Sequence, residues 1–365
     1  MKIIYIADFI LPSNRAYAIH VFKMLDAFSD HGFKSQLFIP YFEKKKITRA
    51  INFFDMKNLR SIKIKKIFKK KINLNSINRL IFGYAVAKKS QNFDEDSLII
   101  SRSLMASIFL TFFKTKHFLE IHQEIKGLTK FFLINMNLIN SKYIIKNIFI
   151  SKSLANFYKN KVYRFKVLHD GVDITKFKKK KKITNVKKIS YVGSFYKGRG
   201  IKLIIEIAKE LKDIEFFLYG KRNEKFKKLP KNIFLQPFVE QSKIPNILNK
   251  SDLLLLPYSS KVHISSDGKS ADNSRFMSPL KLFESLASGT PTLCSNIKVL
   301  REILKNNYNS ILINKFEDKN EWIIKIKEIS KNKNKLNVIS KNAIITSKKY
   351  TWFKRSKIFI DIYNN

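Results

Sequence analysis

The chain has 365 residues, of which 45% are hydrophobic, and this is enough to bury the cores of two domains. Its 72 Lys and Arg against 28 Asp and Glu give a formal net charge of +44, so the surface attracts polyanions: anionic lipid head groups, nucleic acid or acidic glycans. The single cysteine, Cys294, excludes a disulfide framework and favours a reducing cytoplasm, and no apolar run approaches the length of a membrane span.

The first segments alternate between strand and helix patterns. The apolar run of Lys2–Ala7 predicts a strand. Asp8 ends this run too early for a signal peptide. The spacing of apolar residues in Ala18–Phe28 predicts a helix. A strand, a turn and a helix in this order favour a parallel sheet with a ligand beyond the strand's carboxyl end. The turn holds three polar residues, which are equally compatible with a plain surface turn: Ser13, Asn14 and Arg15.

A strongly basic segment, Lys57–Lys89, interleaves Ile, Leu and Phe with Lys. The spacing predicts a basic helix with an apolar stripe, which can lie on an anionic membrane, each Lys adding about 1 kcal/mol. An ordinary domain helix with a lysine-rich outer face has the same pattern, so both interpretations stay open. The membrane interpretation predicts that neutralising Lys63–Lys71 abolishes vesicle binding.

Metal chemistry has no support in the sequence. Asp94-Glu95-Asp96 has the form of a DxD metal motif, but it precedes the predicted strand Ser97–Ser101, which favours a loop with capping carboxylates. No His or Cys cluster has metal-ligand spacing, so we expect neither a metal nor a cofactor.

One histidine stands apart from the others. His117–His122, HFLEIH, predicts a strand that delivers Glu120 and His122 to its end, whereas the remaining histidines are expected to be structural or exposed. Two more strand patterns follow, and then Lys178–Lys188 is a charge run without periodicity, which predicts a linker.

The second domain opens with a glycine-rich loop. GSFYKGRG, residues 193–200, lies between the predicted strand Ile189–Val192 and the predicted helix Ile201–Leu211. Such a loop lets the backbone approach phosphate while Lys or Arg neutralises it. Strands are predicted further on at Phe216–Tyr219, Ile233–Leu235 and Ser251–Pro257, with a helix at Ile244–Asn249 and a long polar loop at Tyr258–Met277.

The segment SPLKLFESLASGTPTLCSN, Ser278–Asn296, carries the most information. Ser278 is expected to cap a helix with Pro279 in its first position, and Gly289 to end it before the strand Pro291–Ser295. Its predicted buried face is Leu280, Phe283, Leu286 and Ala287. The helix start offers N–H groups to an anion, with Lys281 and Glu284 one turn apart on a second face.

This segment resembles the nucleotide-sugar motif of the retaining glycosyltransferases of group 1, or family 4, a two-domain GT-B type, and in particular an SPLK-type subgroup. In that family two glutamates stand eight positions apart, and the second holds the ribose hydroxyls. Glu284 matches the second, while Phe276 occupies the place of the first. The resemblance implies nucleotide-sugar binding by Glu284, Ser278, Pro279, Leu280, Lys281, Gly193, Ser194, Phe238 and Val239, with aromatic core packing as the competing interpretation of Phe238.

The same resemblance implies the catalytic residues. His122, in an E-x-H context, matches a histidine near the donor sugar. Arg199 aligns best with the family's diphosphate-binding lysine, Lys197 is the close alternative, and Ser194 takes the usual arginine position. Ser13, Asn14 and Arg15 replace a glycine-rich loop near donor and acceptor.

The fold implied is α/β, with two doubly wound Rossmann-like domains facing a cleft and a C-terminal helix crossing back to the first. The expected domains are 1–177 with 351–365, a linker at 178–188, and 189–350. The activity implied is metal-independent sugar transfer with retention, from a nucleotide diphosphate sugar to a glycan or lipid-linked hydroxyl, in polysaccharide, lipopolysaccharide or glycolipid synthesis.

Two other functions stay open: a sugar-nucleotide epimerase or hydrolase on this fold, and a basic membrane- or nucleic-acid-binding protein. Nucleic acid is not the expected partner, because no nucleic-acid module is present. The expected location is cytoplasmic, peripheral at the inner face of the plasma membrane. Donor sugar, base, acceptor, linkage and oligomeric state are not specified by the sequence.

Overall fold

The computed structural model describes residues 1–46, 48, 52–178, 180, 182–221, 226, 228–263 and 272–365. The chain forms two compact units, Met1–Asp170 with Trp352–Asn365, and Gly171–Thr351. No helix in the described ranges is both long enough and apolar enough to cross a bilayer.

The first unit is built on a seven-stranded sheet in which every recorded strand pair is parallel, in the order β5-β3-β1-β6-β7-β8-β9. Its strands are β1 Lys2–Ile6, β3 Ser35–Ile39, β5 Ile62–Lys66, β6 Ser97–Ser101, β7 His117–Ile121, β8 Ile144–Phe149 and β9 Phe165–Val167. The short strands β2 Ile10–Leu11 and β4 Tyr41–Phe42 pair with each other. The central strands β1, β6 and β7 are almost fully buried, because helices cover both faces of a parallel sheet.

The helices of the first unit are α1 Ala16–Asp30, α2 Ser76–Ser90, α3 Leu104–Phe112, α4 Gly127–Lys130 and α5 Lys152–Phe157, with a π-helix at Phe131–Asn135. The last helix of the chain, α11 Trp352–Asn364, also belongs to this unit. Phe359 of α11 is fully buried and packs edge-on against Phe28 of α1 and Phe118 of β7. The chain therefore ends in the unit in which it began.

The second unit has a six-stranded parallel sheet in the order β12-β11-β10-β13-β14-β15. Its strands are β10 Lys188–Val192, β11 Glu215–Tyr219, β12 Ile233–Gln236, β13 Leu253–Leu256, β14 Thr292–Ser295 and β15 Ile311–Ile313. The helices are α6 Ile201–Glu210, α7 Ile244–Asn249, α8 Leu280–Ser288, α9 Lys319–Lys331 and α10 Lys333–Ser347. Short 3₁₀-helices occur at Lys44–Lys46, Leu59–Ser61, Leu138–Asn140, Ile174–Lys176, Gln241–Lys243 and Leu300–Glu302.

The predicted fold class is confirmed: each unit is a parallel α/β sheet with Rossmann-like strand order, and the C-terminal helix returns to the first unit. Ile183 and Val186, from the charge run, are buried in the core of the second unit. The domain limits expected from the sequence stay a prediction.

The prediction of one basic helix through Lys57–Lys89 was wrong for its first half. Ile62–Lys66 forms β5, an edge strand that pairs with β3, and a helix begins only at Ser76. The sequence IKIKK alternates with period two, which is the strand period, and its lysines point out from an edge that charged side chains protect from further pairing.

The helix of the SPLK segment starts later than predicted. Because α8 begins at Leu280, its cap position is Pro279, which makes no side-chain capping bond, and Ser278 lies outside the helix. Leu280 is half-buried, whereas Leu282 joins Phe283 and Leu286 in the core, so the buried face is turned slightly from the predicted one. Gly289 ends the helix in the left-handed conformation as predicted.

Candidate functional site

Each unit places its unusual polar residues at the same point of its sheet. In both sheets the strand order reverses beside the first strand of the unit, next to β6 in one and β13 in the other. Ligands of doubly wound sheets bind outside the carboxyl ends of the strands at this reversal. The residues described below follow, or lie within, the strands next to those two points.

The first unit holds a buried polar network around Glu120 of β7. The hydroxyl of Tyr5 donates to Glu120 Oε2, and the Arg355 guanidinium donates to Oε1 at 2.6 Å. Burial opposes ionisation of Glu120, but the charges of His20 and Arg355 hold the pKa of this carboxyl well below its usual range. Glu120 is therefore a buried carboxylate whose charge is compensated locally.

His20 lies between Glu120 and Asp170, the last residue of the segment Met1–Asp170. Its Nδ1 lies 2.6 Å from Asp170 Oδ1, and its Nε2 lies 3.4 Å from Glu120 Oε2. The ring meets Trp352 edge-on at 5.2 Å between centroids. His20 is thus fixed between two carboxylates and an indole, which suits a positioning role.

His122 directly follows β7 and has a defined tautomer. Arg102, which directly follows β6, places a guanidinium nitrogen 3.1 Å from His122 Nδ1. A guanidinium only donates, so Nδ1 accepts and the proton of the neutral ring is on Nε2. Burial and the charge of Arg102 hold the pKa of His122 well below its usual range. His122 is therefore a neutral N–H donor at pH 7, with a buried Nε2 that lacks a partner in the described protein atoms.

Asp8, two residues after the end of β1, lies in a second part of this network. The Tyr17 hydroxyl donates to Asp8 Oδ1 at 2.7 Å, and Arg79 of α2 forms an ion pair with Oδ2. Burial raises the pKa of Asp8 despite these two partners. The Arg102 guanidinium lies over the Tyr17 ring at 4.0 Å, so the two parts of the network join.

The ligand atoms of His20, Glu120 and His122 all lie within 4.8 Å of one another, a spacing compatible with a metal ion. The chemistry fits a metal poorly. A metal-bound histidine usually donates its other N–H to an acceptor, as His20 can to Asp170, but the second nitrogen of His122 faces Arg102. Glu120 is already paired with Arg355. The cluster is better suited to hold His122 for hydrogen bonding.

In the second unit the loop GSFYKGRG is pressed against the chain that follows β13. The backbone N–H groups of Ser259 and His263 donate to the carbonyls of Gly198 and Lys197, at 3.1 and 3.2 Å. A Cβ at Gly200 would overlap the carbonyl oxygen of Pro257, and φ there is +72°. Only glycine fits this position, and the loop is fixed at the strand reversal.

Two cations meet beside this loop. Lys281, in the first turn of α8, donates from Nζ to the Tyr191 hydroxyl at 3.2 Å and lies 4.3 Å from the centre of that ring. The Arg199 guanidinium lies 5.2 Å from the ring centre of Tyr258, and its Nε is buried without a partner among described atoms. Burial and the charge of Arg199 hold the pKa of Lys281 well below its usual range. This is an arrangement that a bound anion would stabilise.

Lys281 also lies at the loop itself. A Cβ on Gly193 would stand 2.9 Å from Lys281 Nζ, and the Tyr191 hydroxyl donates to the Ser194 carbonyl at 2.7 Å. Lys281 and Glu284 line a small pocket with residues of β10 and β13. The helix start, the glycine-rich loop and two cations therefore converge on one place.

The other predicted site residues are placed as follows. Ser13, Asn14 and Arg15 lie at the start of α1, where the Arg15 N–H donates to Ser13 Oγ at 3.3 Å, and no hydrogen bond or ion pair among the described residues joins them to the Glu120 network. Lys197 is exposed, unlike Arg199. Phe238 is 43% exposed, which argues against the competing interpretation of core packing, while Val239 is partly buried. Phe276 is buried, as an apolar residue in that position should be.

Several residues of the two clusters were not singled out from the sequence: Asp8, Tyr17, His20, Arg102, Asp170, Arg355, Tyr191 and Tyr258. Asp8 and Arg102 directly follow predicted strands of a parallel sheet, which is a usable signal. Arg355 has no local signal. Asp94 and Asp96 lie in a loop before β6, as expected, but their carboxylates form ion pairs with Lys2 and the N-terminal amine. The loop Tyr258–Met277 lies partly outside the described residues.

Comparison with known proteins came to three results. Residues 173–346, nearly all of the second unit, match the family model described as glycosyl transferases group 1. Among curated proteins none matches the sequence. Solved structures that superpose on the whole chain are two-domain glycosyltransferases of the GT-B type, which identifies the fold class.

Three of these structures show the extent of the likeness. HepE from Anabaena, in complex with UDP and glucose, is 14% identical with a TM-score of 0.71, covering 100% of both chains. A glycosyltransferase from Rickettsia africae is 13% identical with a TM-score of 0.72, covering 100% of this chain and 99% of its own. WaaG, a glycosyltransferase involved in lipopolysaccharide biosynthesis, is 12% identical with a TM-score of 0.65, covering 100% of both.

Proposed function

We propose that the protein is a retaining, metal-independent glycosyltransferase of family 4, SPLK-type, that moves a sugar from a nucleotide diphosphate sugar to a hydroxyl. The observation that carries this is the pair Arg199 and Lys281 beside the glycine-rich loop and the start of α8. Two neighbouring cations packed on tyrosine rings, with helix N–H groups beside them, match the charge of a diphosphate. The family model covers this part of the chain.

The second unit would bind the nucleotide. Glu284 is assigned to the ribose hydroxyls, and Ser278, Pro279 and Leu280 to the helix start that faces the phosphates. Gly193 and Ser194 bring the loop backbone to the diphosphate, and Phe238 and Val239 are assigned to the base. HepE and TarM from S. aureus have both been solved with UDP, which favours a uridine nucleotide here.

In the proposed reaction the bond between the sugar C1 and the diphosphate oxygen breaks, and its electron pair goes to that oxygen. Arg199, Lys281 and the α8 dipole neutralise the growing charge, with Lys197 as a weaker contributor. The acceptor hydroxyl forms the new bond to C1 from the face that the diphosphate leaves, and its proton passes to the departing phosphate oxygen. No protein nucleophile is required.

His122 is assigned to a hydroxyl of the transferred sugar. Its neutral ring donates from Nε2, so it orients the sugar or stabilises charge and does not act as a base. Arg102, Glu120 and His20 hold the ring in this state. Ser13, Asn14 and Arg15 are assigned to the surroundings of donor and acceptor.

The acceptor is proposed to be a glycan or lipid-linked hydroxyl in cell-surface polysaccharide, lipopolysaccharide or glycolipid synthesis, at the inner face of the plasma membrane. WaaG is described as acting in lipopolysaccharide biosynthesis. Enzymes on this fold differ in acceptor through their loops, so the choice within this class is for experiment.

The first test is binding of a panel of nucleotide diphosphates and their sugars by thermal shift. We expect one nucleotide to raise the melting temperature of the wild type and to have no effect on Glu284→Ala. Glu240→Ala, an exposed glutamate of the same unit, is the matched control and should respond as wild type does. No stabilisation of the wild type by any nucleotide would overturn the proposal.

A further inference from the structure

Helix α2 has two apolar faces, of which only one is buried. Phe82, Val86 and Ala87 pack into the core of the first unit. Ile77, Ile81 and Tyr84 point the other way and are 68%, 43% and 46% exposed, with Leu80 beside them. Their spacing of three, four and seven residues forms one stripe along the helix. The outward face of a surface helix is usually polar, so this stripe needs an explanation.

Aromatic rings continue the stripe onto the neighbouring helices. The Tyr84 ring lies 5.7 Å from Phe109 and 5.9 Å from Phe113 at the end of α3. Phe112, half-exposed, lies 6.0 Å from Phe132 of the π-helix, whose neighbour Phe131 is also half-exposed. We call Ile77, Leu80, Ile81, Tyr84, Phe112 and Phe131 the apolar face. Exposed apolar surface extended over several elements marks an interaction site.

The charged residues of α2 and of the chain that precedes it have one sign. Between residues 57 and 93 the chain has 11 Lys and Arg and no Asp or Glu. Lys88 lies eleven residues beyond Ile77, so it extends the stripe, and Lys89, Lys114 and Lys130 are exposed nearby in sequence. An anionic layer would neutralise these lysines, whereas a second copy of a chain with net charge +44 would bring like charges together.

The apolar face also begins beside the candidate site. Arg79, two residues from Ile77 on α2, forms the ion pair with Asp8 at the carboxyl end of β1. A molecule held at the start of the stripe is therefore close to the polar network of the first unit.

We propose that the apolar face docks on a bilayer containing anionic phospholipid, its apolar side chains entering the head-group region while the lysines bind phosphates. This rests on the proposed function and deepens it, because docking here would bring a lipid-linked acceptor hydroxyl to the Asp8 end of α2. The surface is different from the Lys63–Lys71 segment, which is strand β5 and the chain that follows it.

The test is co-sedimentation of the full-length protein with vesicles of equal parts phosphatidylcholine and phosphatidylglycerol, and with phosphatidylcholine alone. The variant Ile77→Ser with Ile81→Ser should bind the anionic vesicles at least about tenfold more weakly than wild type. The matched control is Ile324→Ser with Val338→Ser in the second unit, whose side chains are 62% and 56% exposed, and it should bind normally. All four positions are exposed, so the variants should fold.

A second pair of variants tests how much the lysines contribute to vesicle binding. Lys88→Gln with Lys89→Gln should weaken binding by about fivefold for each lysine, while Lys348→Gln with Lys349→Gln, exposed lysines of the second unit, should not. Equal vesicle binding by the Ile77/Ile81 variant and its control overturns the proposal. So does a wild-type dimer in sedimentation that the same variant disperses, because a second copy would then cover the face.

The experiment separates this proposal from the proposed function. Vesicle binding needs no nucleotide, and nucleotide binding needs no vesicles. If vesicle binding is insensitive to the apolar face while the Glu284-dependent thermal shift persists, docking alone fails. If no nucleotide binds while the apolar face still controls vesicle binding, the transferase assignment alone fails.

Discussion

The two units treat charge differently at equivalent points of their sheets. In the first unit two of the cations at the site are paired with carboxylates, Arg79 with Asp8 and Arg355 with Glu120, while Arg102 is hydrogen-bonded to His122. In the second unit Lys281 and Arg199 lie on tyrosine rings, and neither forms a salt bridge with any residue in the described ranges.

The two sites are therefore suited to different kinds of ligand. A network that is already neutral holds its side chains rigidly and needs no ion from outside, which suits the orientation of a sugar hydroxyl by His122. An uncompensated pair of cations is unfavourable until an anion arrives, which suits a diphosphate. Each of the two sites can be tested by substitutions of its own residues.

The largest effect is expected for Lys281→Met, which removes the ammonium and keeps apolar contact with the Tyr191 ring. Affinity for a nucleotide diphosphate should fall about 100-fold, roughly 3 kcal/mol, as expected for loss of a charge-assisted contact. The free energy of unfolding should not fall, because burial disfavours the charged amine. Calorimetric titration and urea unfolding measure the two, with Lys212→Met, an exposed lysine, as control. Equal affinities for the two variants would contradict the assignment.

Gly200→Ala should destabilise the second unit by about 3 kcal/mol. The residue has φ +72°, and its new Cβ would overlap the Pro257 carbonyl. Gly32→Ala is the matched control in the first unit: φ is +85° but nothing lies within 4 Å, so only about 1 kcal/mol of backbone strain is expected.

The chain has two tryptophans, one in each unit, and these report the unfolding transitions. Trp322 lies in α9 and Trp352 in α11. Urea unfolding followed by fluorescence, in Trp→Phe backgrounds that retain one of them, gives the two free energies. If both glycine variants lose the same amount, the loop is not held against Pro257.

Acid should destabilise the first unit through His117. Burial lowers the pKa of His117 from 6.5 to about 4, and the Thr115 carbonyl fixes a proton on Nδ1, so Nε2 accepts from the Ser107 hydroxyl. The unfolded chain binds the proton first, so this contribution is complete above pH 6.5 and is lost as pH falls towards 4, in total about 3 kcal/mol.

His117→Gln removes this titration and provides the measurement. Between pH 6.5 and 4 the unfolding free energy reported by Trp352 should fall about 3 kcal/mol less in the variant than in wild type. Parallel pH profiles would show that His117 is not buried as a neutral ring. The transition reported by Trp322 should be the same in both proteins.

The smallest effect is expected for Lys197→Ala. Its side chain is exposed, whereas Arg199 lies over Tyr258, so turnover should change by less than about threefold. Arg199→Ala should reduce turnover by about 100-fold or more. Steady-state assays with the identified donor measure both. A large loss in Lys197→Ala would transfer the phosphate role to that residue.

Local patterns in the sequence were sufficient for the elements that carry the proposed chemistry. The alternation of strands and helices gave the two Rossmann-like sheets, and the loop GSFYKGRG was placed between a strand and a helix that are both present. Strand β7 delivers Glu120 and His122 as predicted, with Glu120 buried.

Local sequence patterns could not predict contacts between residues that are distant in the chain. Arg355 reaches Glu120 across 235 positions, and Lys281 reaches Tyr191 across 90. Both contacts depend on where a helix, α11 or α8, packs against its sheet, which periodicity does not specify. The β5 error has a different origin: the run IKIKK has the strand period but is too short to exclude a helix, and pairing with β3 decides for the strand.

The return of α11 to the first unit has a consequence for how the protein is made. Arg355 binds Glu120 and the carbonyls of Leu168 and His169, yet it is synthesised after the whole of the second unit. While the chain is still on the ribosome, the second unit can fold as a contiguous stretch. The first unit stays incomplete, with Glu120 lacking the Arg355 guanidinium, until α11 has been synthesised. The second unit can therefore be completed before the first, and a nascent chain stalled before Trp352 should expose an unfinished first unit to chaperones and proteases.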